Sequence, residues 1–238
     1  MDRKPGLALR LALACGCLWM PVGNANIDVS GQATLTTDYM FRGVSQTMSG
    51  PALQAEILVS HDSGWYGYAW ASNVDFADAT SPDDGANLEI DVGVGYAFGL
   101  TDNLVFDFGA NAYLFPDLLP GFDYDYVEWY GSLTVYERLS LTAAYTNNVF
   151  GEGTTNRTYE VATNFPFPRD LRVEILVGHS DLSDGYGMSY QYGKVGIGNS
   201  AKRFGWQLDY FTTSDNVGSM FRHTNVKDRL VLTLSFDF

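Results

Sequence analysis

The first residues here with chemistry to offer are acidic side chains placed among apolar neighbours. Asp38, Glu56, Glu89, Asp91, Asp107, Glu128, Glu160, Glu174 and Asp209 stand on the polar side of short alternating runs, against the cations Arg42, Arg172, Arg203 and Arg229. A charge facing hydrocarbon is expensive, so these groups require a wet interior face. Carboxylate rings on such a face attract cations electrostatically. The nine acids, with Arg42 and Arg172, are therefore the expected lining of a narrow, cation-preferring passage. The equal alternative is that the charges pair with one another across a filled lumen.

Catalytic chemistry has less support. His61 lies beside Asp62 and Ser63, His179 precedes Ser180 and Asp181, and His223 falls in a loop. Each could act as a general base. A hydrolase also needs an activated nucleophile, and no Gly-x-Ser-x-Gly elbow occurs. Exposed loop histidines are the simpler reading, and no enzymatic activity is expected; a hydrolase acting on membrane lipid is kept as an alternative. The acidic stretch from Asp75 to Asp84 carries Asp78, Asp83 and Asp84 without the Asp-x-Asp-x-Asp-Gly spacing of a calcium loop. No metal or other cofactor is expected.

The elements that must position these residues are strands. Leu230, Leu232, Leu234, Phe236 and Phe238 alternate with Val231, Thr233, Ser235 and Asp237, and the apolar face runs to the last residue. In Leu88 to Tyr96 the apolar face opposes Glu89, Asp91, Gly93 and Gly95. A period of two means one face apolar and one face wet. The same pattern predicts a first strand from Ile27 to near Arg42, then a loop over 43–50. Further strands follow from Leu53, Trp65, Leu88, Leu104, Tyr126, Leu139, Tyr159, Leu171, Met188 and Arg203, and a closing strand starts at Leu230. Short turns alternate with longer loops, among them 75–86, 116–125, 151–157, 180–187 and 214–227. About twelve strands in this rhythm predict an all-β fold, a transmembrane antiparallel up-and-down barrel. A soluble sandwich would alternate too, but strand length, loop asymmetry and the character of the N-terminus favour the barrel.

That N-terminus reads as a secretory signal. Arg3, Lys4 and Arg10 precede a short apolar core, and Gly23-Asn24-Ala25 supplies small residues for cleavage after Ala25. A lipoprotein signal at Ala12-Leu13-Ala14-Cys15 is the rival, but leucine is missing three positions before the cysteine. Two domains are thus expected, a leader over 1–25 and a barrel over 26–238. Both cysteines, Cys15 and Cys17, lie in the leader, so the mature chain would have no disulfide. Its loss removes three basic residues and one acidic one, taking the formal charge from −14 to −16. So acidic a chain offers no groove for nucleic acid. No apolar run reaches the roughly 18 residues of a membrane helix, so a membrane span here must be made of strands.

The run Thr36-Thr37-Asp38-Tyr39-Met40-Phe41-Arg42-Gly43-Val44-Ser45-Gln46-Thr47, then Pro51-Ala52-Leu53-Gln54 and Trp70-Ala71-Ser72-Asn73-Val74-Asp75-Phe76, resembles the proteobacterial TorF family of porins. The resemblance implies a channel in the outer membrane of a Gram-negative bacterium, with no established solute. The terminal Phe238 resembles the signal that the barrel-assembly machinery reads. Expected partners are therefore that machinery, outer-membrane lipid and lipopolysaccharide, and small hydrophilic solutes or ions. A structural or adhesive barrel without a pore is the remaining alternative.

Overall fold

Alternation closes this chain on itself. The computed structural model describes residues 26–76, 84–214 and 225–238, together with a short antiparallel pair, Leu11–Ala12 with Gly16–Cys17. The remainder of the expected leader, the loop residues Asp78 and Asp83, and His223 lie outside the described residues. Twelve strands form the barrel: β1 (Ile27–Thr36), β2 (Ala52–His61), β3 (Trp65–Asn73), β4 (Leu88–Thr101), β5 (Leu104–Leu114), β6 (Tyr126–Val135), β7 (Leu139–Val149), β8 (Thr154–Phe167), β9 (Leu171–Leu182), β10 (Met188–Ala201), β11 (Phe204–Thr213) and β12 (Arg229–Asp237). Each pairs antiparallel with its sequence neighbours, and β12 closes on β1 from Thr233↔Thr36 to Asp237↔Gln32. Beyond that ladder Phe238 N donates to Gly31 O at 2.9 Å and Gly31 N donates back to Phe238 O at 3.0 Å. The terminal ring lies over Gly31, where a Cβ would collide with it. Closure leaves the barrel no sheet edge, so each of its twelve strands has a ladder partner on both sides.

The outward face is aliphatic between two aromatic belts. Trp65, Phe98, Phe167, Phe204 and Phe238 are exposed at the short-turn end, and Trp129, Tyr145 and Tyr210 toward the long-loop end. Between them Ile57, Val94, Val161, Val177 and Leu232 are exposed as well. An apolar band flanked by aromatic girdles is what a lipid-facing barrel presents.

Inside, bulky side chains pack over glycines. A Cβ at Gly93 would meet the Tyr68 ring, one at Gly95 or Gly109 would meet Tyr130, and one at Gly178 would meet Tyr192. The rings are anchored at their tips: Tyr66 OH donates to Asp107 Oδ1 at 2.8 Å, Tyr68 OH to Asn111 Oδ1 at 2.8 Å, and Tyr192 OH to Glu160 Oε1 at 2.6 Å. Forcing a side chain into such a site costs about 1–3 kcal/mol. Gly178→Val should therefore lower the urea midpoint of the barrel in detergent, while Gly131→Ala, whose Cβ would meet only the Phe106 ring at 3.6 Å, should leave it unchanged. Equal midpoints for both variants would refute this account of the packing.

The structure departs from the sequence pattern in three places. The first strand stops at Thr36 rather than near Arg42. The loop expected over 151–157 shrinks to 150–153, because β7 and β8 run on past their apolar repeats into polar pairs such as Thr146↔Asn156. The next loop also starts late, with β9 continuing through Ser180 to Leu182 before a single helical turn, Ser183–Tyr186.

Candidate functional site: a hairpin across the lumen

Residues 37–51 fold into the barrel. Thr37 ends β1 by turning its hydrogen bonds onto β12, with Thr37 N donating to Leu232 O and Leu232 N donating to Thr37 Oγ1, both at 3.0 Å. Met40–Phe41 then pairs with Val44–Ser45 across a two-residue turn, Arg42-Gly43. Both turn residues have positive φ, 48° and 79°, as a tight hairpin turn of this hand demands. Glycine suits the second position. A Cβ there would run into Tyr192 and Thr213. Arginine at the first is strained, and strain of this kind persists where surrounding contacts over-determine it.

Those contacts are strong. Arg42 Nη1 and Nη2 fork onto Glu128 Oε2 and Oε1 at 2.8 and 2.5 Å. Glu128 belongs to β6, on the wall facing β1, so the hairpin crosses the lumen. Glu128 is buried, and the Arg42 side chain is only 10% exposed. At the base Asp38 is a hub: Ser45 Oγ donates to Asp38 Oδ1 at 2.6 Å, the Thr47 hydroxyl lies 3.0 Å from the same atom, and the Arg229 guanidinium pairs with Asp38 Oδ2. Thr213 Oγ1 donates to Gly43 O at 2.7 Å, and Ser45 N to Asn225 O at 2.8 Å. Tyr39 packs edge-on against Trp70, and Phe41 against Tyr113, with ring centroids 5.2 and 5.8 Å apart.

Beneath the hairpin, on the side of β1, β2 and β8–β12, lies a chamber of about 560 Å³ with Phe41 and Arg42 among its lining residues. Glu56, Glu160 and Arg172 also line it. So does a cluster built on Lys194, whose Nζ stands 3.4 Å from Glu174 Oε2 and 3.6 Å from Asp209 Oδ1, while Gln207 Nε2 donates to both carboxylates at 3.0 Å.

The charged residues singled out from sequence thus fall into groups. Arg42 joins Glu128, Asp38 joins Arg229, Glu174 joins Asp209, Glu160 meets Tyr192, Asp107 meets Tyr66, and Glu89 with Asp91 stands on β4 against the hairpin. Asp38 and Arg42 reach the lumen from the hairpin and not from a strand, because the chain leaves the ladder at Thr37. Arg203 sits in a short exposed turn, apart from all of these. Lys194 was missed. Its strand carries its aromatic residues, Tyr190 and Tyr192, on the inward face, which inverts the usual pattern.

Two of the histidines lie outside this site. Neither stands in the loop expected for it: His61 is the last residue of β2, its Nδ1 2.7 Å from Ser63 Oγ, and His179 lies half-buried within β9, its Nδ1 3.1 Å from Gln191 Nε2, because that strand runs on to Leu182. At the rim Asp84 Oδ2 accepts from Tyr124 OH at 3.0 Å, and burial together with this carboxylate pushes the phenol up to about 12. Asp84 Oδ1 also accepts from Ala86 N at 2.9 Å, so this acid folds its own loop.

The family model described as "Bacterial protein of unknown function (Gcw_chp)" matches residues 22–236. The chain belongs to the Gcw_chp family. The matched span takes in the hairpin and nearly all of the barrel. Among curated proteins none matches the sequence. Solved structures do match the fold. KdgM porin superposes with a TM-score of 0.56 at 10% identity, over 88% of this chain and 99% of that one. NanC porin gives 0.54 at 9% identity, over 89% and 99%. KdgM porin in complex with disordered oligogalacturonate gives 0.51 at 9% identity, over 88% and 98%. At such identities the likeness of this Gcw_chp protein to the two porins is one of fold.

Proposed function

We propose that this protein is an outer-membrane channel of a Gram-negative bacterium that passes small hydrophilic solutes or ions and prefers cations. The observation that carries this reading is an acid-rich lumen enclosed by an apolar, aromatic-belted exterior and narrowed by a hairpin. Asp38, Glu56, Glu89, Asp91, Asp107, Glu128, Glu160, Glu174 and Asp209 outweigh the lumenal cations Arg42, Arg172, Lys194 and Arg229. Support comes from the shared fold of the KdgM and NanC porins, and from the resemblance to TorF porins, whose first run, Thr36 to Thr47, spans the hairpin. The ligand named with KdgM, oligogalacturonate, is a polyanion. An acid-lined lumen repels such a solute, so the solute here is a cation or a small neutral molecule.

Export by a leader cleaved after Ala25, and recognition of Phe238 by the assembly machinery, belong to the same proposal. So does contact of the belts with phospholipid and lipopolysaccharide.

The test is reversal potential across a salt gradient, measured on single channels of the detergent-purified protein in a planar bilayer. A cation-biased reversal is expected. Equal permeability to both ions would remove the selectivity claim. Silence from protein shown to be folded would favour a second reading, a structural barrel, for which the many ties holding the hairpin are the specific observation.

A further inference from the structure

Glu89 and Asp91 lie two residues apart on β4 and so on one inward face, with Cα atoms about 7 Å apart in an extended strand. They are 4% and 1% exposed. Asp91 Oδ2 accepts from Asn111 Nδ2 at 3.3 Å, and Glu89 receives a hydrogen bond from Tyr39 of the hairpin. Asp91 Oδ1 and Glu89 Oε2 have no hydrogen-bond partner at all. A buried carboxylate oxygen left unpaired is among the costlier defects a fold can carry, and in native proteins it marks a missing water or ion. The cation of the hairpin, Arg42, is committed elsewhere, to Glu128.

We propose that Glu89 and Asp91 hold a partly dehydrated monovalent cation between strand β4 and the hairpin. The unpaired oxygens of two adjacent carboxylates supply the charge, and the Tyr39 hydroxyl is the neutral oxygen beside them; the Asn111 amide nitrogen holds the other oxygen of Asp91 in place. A divalent ion fits less well. Calcium takes six to eight oxygens, several of them from carboxylates, and among the described residues no group of three His, Cys, Asp or Glu side chains is placed to hold a metal. The remaining charged and titratable groups facing the pair are Glu128 and Tyr126 of β6 and Arg42 of the hairpin. Glu128 and Arg42 offset one another, and the Tyr126 phenol is neutral, so the charge that draws a cation is that of Glu89 and Asp91 themselves. This inference rests on the cation-preferring reading and deepens it, because it places the ion's dehydration step at the level of the hairpin.

The experiment is thermal unfolding of the detergent-purified protein at constant ionic strength in sodium, potassium or N-methyl-D-glucamine chloride. An ion that binds only the folded state stabilises it in proportion to the logarithm of its concentration above Kd. A higher midpoint in sodium or potassium than in the bulky organic cation is expected. It should be lost in Glu89→Gln/Asp91→Asn and kept in Asp209→Asn, which alters a carboxylate already paired with Lys194. Should the double variant not fold, Glu89→Gln alone serves, with a reduced ion effect expected. Identical wild-type midpoints in all three salts overturn the site, and so does an ion effect that survives the double substitution. Conductance on the same preparations separates this from the broader reading. Cation-biased currents without ion-specific stabilisation defeat the site and leave the channel standing, while ion-specific stabilisation without currents does the reverse.

Discussion

Single-channel conductance should rise several-fold when residues 39–49 are replaced by a short Gly-Ser linker. Adjacent strands lie about 4.8 Å apart, and antiparallel neighbours are commonly joined by two to five residues. Thr36 of β1 and Ala52 of β2 are direct partners, yet the chain between them runs through residues 37–51. The excess is not used to bridge a gap. It builds a hairpin that crosses to β6 and occupies the lumen. The β1–β2 ladder, from Ile27↔His61 to Thr36↔Ala52, needs none of it, so the shortened protein should keep the folded, heat-shifted band on gels. Cation bias should weaken as well, because a wider pore feels each wall charge through more water. Unchanged conductance from a folded variant would mean that the hairpin does not bound the ion path.

The barrel was legible in the sequence because lipid outside and water inside impose the same two-residue period on strand after strand, from Leu88 to Tyr96 as from Leu230 to Phe238. Where that period misled, the reason is local. Leu35, Tyr39 and Phe41 continue the odd-numbered apolar face of β1, so periodicity alone carries the strand to Arg42. What ends it is Thr37 bonding to β12 and a left-handed pair at Arg42-Gly43, and neither shows in a hydropathy pattern. Strands β3 and β10 hide a second feature. Tyr66, Tyr68 and Trp70 point inward while Ala69 and Ala71 point outward, and Tyr192 faces the lumen beside Lys194. An apolar face was therefore no guide to which side meets lipid. The lumenal acids could be named as inward-facing, but not their partners. Arg42 with Glu128 and Asp38 with Arg229 are pairs separated by 86 and 191 residues, joined only by closure of the barrel.

Removing Arg42 should cost the barrel more than removing any other lumenal cation. Its guanidinium is the two-pronged partner of a Glu128 carboxylate that is 4% exposed. Breaking one side of a buried ion pair strands the other charge and costs about 3–5 kcal/mol, whereas replacing both partners by apolar groups is often neutral. Arg42→Ala should therefore lower the urea midpoint and raise conductance together, as the hairpin tip loses its hold on β6. Arg42→Lys should rescue little, because one ammonium cannot reproduce the parallel fork. Arg42→Asn separates charge from backbone strain, since asparagine tolerates the positive φ of this position. It should lose as much as Arg42→Ala if the ion pair is what matters. Arg42→Met combined with Glu128→Leu should restore most of the midpoint, because no buried charge is then left alone. A single Arg42→Ala variant indistinguishable from wild type in both midpoint and conductance would show that the hairpin is held by its base, at Asp38 and Arg229. The tip pair would then act only as two charges in the lumen, and its neutralisation should alter selectivity without altering pore size.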